Sequence, residues 1–160
     1  MIAVGDLFPD VTLKTFDGDG AMVDQSTATL FTQGRSVLFG LPGAFTPTCS
    51  TMHLPGYVKA RDRFQATGVD CLACLSVNDA FVMRAWAESL NVLGTVAMLA
   101  DGNGTLTRAL GLDTDASAFG MGLRAQRFAM TLDAGRVSGL FVEAPGEYRV
   151  SDAEYVLRQV

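Results

Sequence analysis

Short apolar runs of strand length recur along the chain, and each is bounded by polar residues, glycine or proline. An apolar run of four to eight residues between turn signals is typical of a buried strand. The pattern therefore predicts strands at residues 36–41, 70–77, 96–100, 128–132 and 137–142.

Apolar residues at helical spacing lie between these strands. A helix is predicted from near Cys49 to about residue 66, with Tyr57, Ala60 and Phe64 on its apolar face. Pro55-Gly56 predicts a kink in this helix, or a split after its first turn.

Capping residues predict where two of the other helices begin. Asp79 caps a predicted helix that ends near residue 90, and a short helix is predicted over 106–110. Ser151 and Glu154 form a capping box for the last helix. The buried face of the helix after Asp79 is predicted to carry Val82, Ala85, Trp86 and Leu90.

The order of these elements predicts an α/β fold. The turn signal Asp17-Gly18-Asp19-Gly20 predicts an N-terminal hairpin, and β-α-β-α-β and β-β-α segments follow. This order favours a mixed central sheet with helices on both faces. A thioredoxin-like sandwich has this order, as do other α/β folds. Since we find no repeat and no linker, we predict a single domain over residues 1–160.

Composition and charge narrow the classes of function. Of the 160 residues 49% are hydrophobic, and the net charge is −5 without any basic tract, which disfavours nucleic acid and anionic membranes as partners. No apolar run approaches the roughly 20 residues of a membrane span, and the N-terminus lacks the features of a signal peptide. Three cysteines are too few for a secreted disulfide framework. We expect a cytoplasmic protein whose cysteines are reactive or buried.

The segment from Pro42 to Cys49, PGAFTPTC, lies between a predicted buried strand and a predicted helix. Cys49 would lie in the first turn of that helix, where free N–H groups and the helix dipole favour a thiolate. The hydroxyl of Thr46 lies within hydrogen-bonding range of a sulfur or bound oxygen in such a turn. Pro42 and Pro47 stiffen the loop. The pattern indicates a reactive cysteine.

This segment and three others, CLSVNDAFVMRAW, LADG and RFAM, resemble the type-II branch of the peroxiredoxin family, and the likeness covers nearly the whole chain. The resemblance implies a thioredoxin-like fold and a cofactor-free thiol peroxidase that reduces hydrogen peroxide or alkyl hydroperoxides. By position, it makes Cys49 the peroxidatic cysteine, which becomes a sulfenic acid. Thr46 and Arg127 are the matching catalytic residues, with Arg124 ranked second to Arg127.

The resemblance also implies two substrate-binding positions and a quaternary structure. Pro42 matches the proline that shields the cysteine, and the backbone N–H groups of Thr48 and Cys49 are candidate donors to the peroxide. A homodimer packed near the edge of the active site is implied as well.

The other cysteines form a C-x-x-C, Cys71 to Cys74, within a predicted strand. Residues three apart on a strand point to opposite faces, so we predict neither a dithiol nor a zinc site here. Cys71 is interpreted as a small buried hydrophobe, and Cys74 as either buried and inert or a resolving cysteine. Residues 146–152, where some relatives carry a resolving cysteine, contain none. We therefore expect an external reductant, glutathione with glutaredoxin or thioredoxin.

Two alternative functions use the same cysteine. His53 lies four residues after Cys49 and would share its helix face, so a Cys–His hydrolase is one alternative. We favour instead a hydrogen-bonded histidine in the pocket wall. The other alternative is a redox sensor that passes oxidation to a partner.

Overall fold

The computed structural model describes residues 1–160 and contains nine strands. Their bounds are β1 (Thr12–Phe16), β2 (Met22–Ser26), β3 (Arg35–Gly40), β4 (Val69–Ser76), β5 (Ala97–Ala100), β6 (Asp113–Asp115), β7 (Leu123–Ala125), β8 (Phe128–Asp133) and β9 (Arg136–Val142). Seven strands form one mixed sheet in the order β2-β1-β5-β4-β3-β8-β9, and β6 and β7 form a separate ribbon. In the sheet, β3, β4 and β5 are parallel, whereas all other neighbours are antiparallel.

Helices cover both faces of this sheet. They are α1 (Thr27–Phe31), α2 (Leu54–Ala66), α3 (Ala80–Ser89), α4 (Thr105–Leu110) and α5 (Ala153–Leu157). Because successive residues of a strand point to opposite faces, Val37 and Phe39 of β3 pack with α2, α3 and α5, while Leu38 packs with α1 and α4. The predicted thioredoxin-like α/β fold, including the hairpin formed by β1 and β2, is confirmed.

The helix predicted from Cys49 is present, but its first turn differs from the prediction. Cys49–His53 is a π-helical turn that runs into α2, and the N–H of Leu54 donates to the carbonyl of Cys49. The predicted interruption near Pro55 therefore takes the form of a π turn. Tyr57, like the other predicted core residues of α2, is buried.

The buried face of α3 differs from the predicted one. Trp86 is buried as expected, but Ala85 is exposed and Met83 and Ala87 point into the core in its place. The reason is that three alanines, at 80, 85 and 87, are equally compatible with burial, so the spacing alone does not fix the rotation of the helix.

The predicted capping box at Ser151 is wrong. Asp152 caps α5, because its carboxylate accepts from the N–H of Tyr155, 2.9 Å away. Glu154 is exposed and pairs with Arg63 of α2. Ser151 is fully buried and serves a different contact, described below.

Candidate active site

Cys49 lies just beyond the carboxyl end of β3, at the start of the π turn. Its side chain is only 1% exposed and packs in the apolar cluster between the sheet and α2. The sequence predicts a cysteine at the start of a helix. The structure shows in addition that this cysteine is almost completely shielded from solvent.

Arg127 directly precedes β8, the strand beside β3, and its side chain reaches the sulfur of Cys49. It lies between β7 and β8, and its Nη2 donates to the Cys49 Sγ across 3.3 Å. The register of β3 and β8 explains the approach, because Gly40 pairs with Phe128, so Arg127 stands where β3 ends. The structure thus brings together two residues that are 78 positions apart in sequence.

The loop between β3 and Cys49 is held by a hydrogen bond within the loop and by another to Asn78. The Thr46 hydroxyl donates to the carbonyl of Gly43 at 2.6 Å, and the N–H of Ala44 donates to the side chain of Asn78 at 3.0 Å. Since its proton is engaged, the Thr46 oxygen has lone pairs left to accept a hydrogen bond. Phe45 has a positive φ of 64° and is 58% exposed at the loop tip.

Arg124 supports this loop and makes no hydrogen bond to the sulfur. Its Nη1 donates to the carbonyl of Pro42 at 3.3 Å and its Nε donates to the carbonyl of Met121 at 2.9 Å. A Cβ on Gly43 would lie 2.8 Å from Nη1 of Arg124, so this guanidinium would have to shift if residue 43 carried a side chain. The ranking of Arg127 above Arg124 as the group nearest the sulfur agrees with this geometry.

A cavity of about 530 Å³ opens in front of the site. Its lining includes Pro42, Thr48 and Arg127, together with Phe119 and Tyr148. Neither the Thr48 nor the Cys49 amide donates to an acceptor within the protein, as expected at the start of a helix. A second cavity, about 470 Å³ between β1, α3 and β5, contains none of the predicted site residues.

His53 is buried and both of its ring nitrogens are occupied. Arg127 Nη1 lies 2.9 Å from Nδ1, and the Ser151 carbonyl oxygen lies 3.1 Å from Nε2. Burial, followed by the Arg127 charge, lowers the pKa of His53 to about 3. The Cys–His dyad is therefore contradicted, because the ring nitrogen nearest the site faces Arg127 and not Cys49. The hydrogen-bonded histidine that the sequence favours is what the structure contains.

Glu143, directly after β9, is a site residue that the sequence analysis missed. Its Oε1 accepts hydrogen bonds from the N–H groups of Arg149, Val150 and Ser151 and from the Ser151 hydroxyl, at 2.6 to 2.8 Å. Burial opposes ionisation, but these four donors outweigh it and hold the pKa of Glu143 below its ordinary value. The available signal was an acidic residue at the end of an apolar strand.

Cys71 and Cys74 point to opposite faces of β4, as predicted. Cys74 is fully buried in the same cluster as Cys49, and burial raises its pKa well above the ordinary value. Cys71 is only partly buried, contrary to the expectation of a core residue, and burial raises its pKa to about 11. All three cysteines are unpaired.

No helix in the structure combines the length and the apolar character that crossing a bilayer requires.

Comparison with known proteins gives one consistent family. The family model described as Redoxin matches residues 3–157. The chain is 49% identical over 161 residues to Peroxiredoxin-2E-2, chloroplastic, from Oryza sativa subsp. japonica. This alignment covers 98% of this chain and 72% of that protein. It is 45% identical to Peroxiredoxin-2C of the same organism, with 98% and 97% covered. The crystal structure of reduced Prx3 from Vibrio vulnificus in complex with H2O2 superimposes with a TM-score of 0.94 at 49% identity and covers 99% of both chains.

Proposed function

Since the chain belongs to the peroxiredoxins of the redoxin family and is a thiol-dependent peroxidase, we propose that Cys49 is its peroxidatic cysteine. The observation that carries this assignment is the 3.3 Å contact between Arg127 Nη2 and the Cys49 sulfur. Neither of the other two cysteines has a cation within hydrogen-bonding distance. A guanidinium stabilises a thiolate because it is always charged and presents fixed donors.

The reaction is an in-line displacement at oxygen. The Cys49 thiolate attacks the terminal oxygen of the hydroperoxide, an S–O bond forms and the O–O bond breaks. The second oxygen leaves as hydroxide or alkoxide and takes up a proton, giving water or an alcohol. Cys49 becomes a sulfenic acid. Charge moves from the sulfur to the leaving oxygen, so fixed donors aimed at that oxygen lower the barrier.

Three neighbours of Cys49 are proposed to position the peroxide. The Thr46 oxygen accepts from the peroxide O–H, since its own proton is held by Gly43. The amide N–H groups of Thr48 and Cys49 donate to the reacting oxygens. Pro42, which lines the cavity, shields the sulfur from bulk water. The H2O2 bound in the Vibrio vulnificus relative supports hydrogen peroxide as a substrate here.

We propose that an external thiol, from glutathione with glutaredoxin or from thioredoxin, recycles the enzyme. One thiol forms a disulfide with Cys49 and releases the sulfenic oxygen as water, and a second thiol then frees Cys49. Residues 146–152 contain no cysteine, and the Cys74 thiol is buried and protonated at neutral pH. Three unpaired cysteines suit a reducing compartment, and we propose the cytoplasm.

Mass spectrometry after one equivalent of peroxide separates the two recycling routes. In the presence of glutathione, we expect a glutathione adduct on Cys49 and unmodified Cys74. A Cys49–Cys74 disulfide as the main product would overturn external recycling and make Cys74 the resolving cysteine.

Single-residue variants test the peroxidatic role. Cys49→Ser is expected to abolish consumption of hydrogen peroxide, while Cys71→Ser, on the opposite face of the sheet, keeps it. If Cys49→Ser turned over normally, the assignment would be wrong. Steady-state turnover with glutaredoxin or thioredoxin also separates a peroxidase from the sensor alternative, which would turn over slowly with either.

A homodimer is proposed on the basis of exposed aromatic residues beside the active-site cavity. Phe45, at the loop tip, is 58% exposed, and Phe119, in the cavity wall, is 82% exposed. Large apolar side chains in such positions are typical of a surface that a partner covers.

A further inference from the structure

The His53 ring is bound by hydrogen bonds that allow only one arrangement of its proton. A guanidinium has donors and no acceptor, so Nδ1 must accept from Arg127. Nε2 must then carry the hydrogen and donate it to the Ser151 carbonyl. The ring is therefore neutral, because a proton on Nδ1 would face the N–H of a cation.

The Ser151 carbonyl that receives this hydrogen is itself held in place. The hydroxyl of Tyr57 donates to the same oxygen at 2.8 Å. Glu143 Oε1 accepts hydrogen bonds from the amide N–H groups of residues 149–151 and from the Ser151 hydroxyl. Ser151, Tyr57 and His53 are each fully buried, so water does not compete for these bonds.

The same carboxylate is tied to Arg127 through the sheet. The N–H of Glu143 donates to the Arg127 carbonyl at 2.9 Å, which extends the pairing of β8 with β9 by one residue pair. A closed path thus runs from the Arg127 backbone through Glu143, Ser151 and His53 to the Arg127 guanidinium.

We infer that His53 is a positioning residue, which acts through Arg127 and is locked as the Nε2–H tautomer by the Ser151 carbonyl that Glu143 and Tyr57 hold. The inference rests on the proposed roles of Cys49 and Arg127. Its physical basis is that a free arginine side chain populates many rotamers, so ordering the guanidinium has an entropic cost. His53 supplies the second of the two hydrogen bonds that fix the guanidinium, the first being that to Cys49.

Few groups around His53 can influence whether its ring is protonated. Arg127 and Glu143 are the charged groups near the ring. Phe39, Tyr57 and Tyr148 pack around it, with ring centroids 5.1 to 5.7 Å away. Burial and the Arg127 charge both oppose protonation of the ring, and together they outweigh the Glu143 charge, which favours it.

Nitrogen-15 NMR tests the tautomer directly, because His53 is the only histidine of the chain. Long-range proton–nitrogen correlation on the reduced protein is expected to show a protonated Nε2, an unprotonated Nδ1 and no titration between pH 5 and 9. An Nδ1–H tautomer, or a midpoint near 6.5, would overturn the inference. This readout does not depend on peroxide chemistry, so it fails or succeeds separately from the proposed function.

Paired variants test the positioning role. His53→Leu removes both hydrogen bonds and is expected to lower the rate of Cys49 oxidation by about 10- to 100-fold, the range for losing a bond to a charged group. His53→Gln carries an acceptor and a donor and should recover most of that rate.

Loss of stability alone is controlled by a substitution on the other face of the sheet. Leu110→Ala, in α4, removes a comparably buried side chain and should leave the rate of Cys49 oxidation unchanged. If folded His53→Leu oxidised as fast as Leu110→Ala, the positioning role would be refuted. If His53→Leu does not fold, the NMR measurement on the unaltered protein still decides.

Discussion

The guanidinium of Arg127 donates to two different acceptors, the Cys49 sulfur and the His53 ring. A planar fork with fixed donors makes both bonds at once, whereas the ammonium of a lysine is a compact charge on a flexible stem. At the scale of single residues, charge and shape therefore both contribute to the site.

Substitution of Arg127 separates these two contributions. Arg127→Ala is expected to lower kcat/KM for hydrogen peroxide by about 100- to 1000-fold, the usual effect of removing one donor from a developing anion. The kcat/KM of Arg127→Lys should lie between those of Arg127→Ala and the unaltered enzyme. Lysine keeps the charge but lacks the planar pair of donors. Stopped-flow oxidation monitored by Trp86 fluorescence checks this, since its indole N–H donates to Ser50, next to Cys49. Equal rates for Arg127→Ala and the unaltered enzyme would remove Arg127 from the mechanism.

The buried neutral His53 makes stability depend on pH. Its pKa is about 3 in the folded protein against 6.5 for an ordinary histidine, so between these values the unfolded chain binds a proton that the folded protein does not. Stability is therefore lost as the pH falls below 6.5, by at most ~1.4 kcal/mol per pH unit from this group.

Urea unfolding at pH 6.5, 5.5 and 4.5 measures this dependence. His53→Gln has no such proton to bind, so its free energy of unfolding should change less over this interval. Identical slopes for the two proteins would mean that His53 is not buried in its neutral form.

At the scale of elements, pairing between strands brings the site together. Gly40, the last residue of β3, pairs with Phe128, the first residue of β8. A Cβ on Gly40 would lie 2.1 Å from the Phe128 ring, so only glycine allows the strands to approach with that ring in place. Arg127 is the next residue, and its reach to Cys49 depends on this contact.

Gly40→Ala is accordingly expected to damage both stability and activity. Overpacking a filled core costs typically about 1 to 3 kcal/mol, and displacement of Phe128 moves the Arg127 backbone. Urea unfolding and the rate of Cys49 oxidation should both decline. A stable Gly40→Ala protein with an unchanged rate would show that the Arg127 position does not depend on this packing.

Elements with strong apolar patterns could be predicted, and weakly patterned ones could not. The strands around Phe39, Cys74 and Met130 are almost wholly apolar and were found to within a residue or two. The ribbon of β6 and β7 escaped detection because it is short and largely polar. Helix α1 was missed for a similar reason, with only five residues.

The link between Glu143 and Arg127 shows where sequence reasoning stops. A register shift between Thr131 and Leu132 changes the pairing of β8 with β9 by one residue. Without that register shift, residue 127 would not stand opposite residue 143. No local sequence pattern predicts the shift. Cys49, Thr46 and Arg127 could be proposed as site residues from the sequence because they lie in motifs, whereas backbone geometry brings Ser151 and Glu143 to His53.

At the scale of the whole molecule, the proposed dimer makes a quantitative prediction. Phe119→Glu puts a charge on the exposed aromatic surface beside the cavity. Sedimentation equilibrium should show a dimer for the unaltered protein and a monomer, or a dimer weakened at least tenfold, for the variant. Phe81→Glu, 67% exposed on α3, is the matched control and should remain dimeric. A monomer for the unaltered protein would dismiss the proposal.

The enclosure of Cys49 sets a size limit on what reaches it. With 1% of its side chain exposed, the sulfur admits a molecule of a few atoms and is closed to a tripeptide or a protein thiol. An external thiol of that size reaches the sulfur only if the helix end at Cys49–His53 opens, and we expect this opening between the oxidative and the reductive half of each turnover. We expect the reductive half-reaction to depend on this local opening of the backbone, so its rate should vary with solvent viscosity and temperature and stay independent of peroxide concentration.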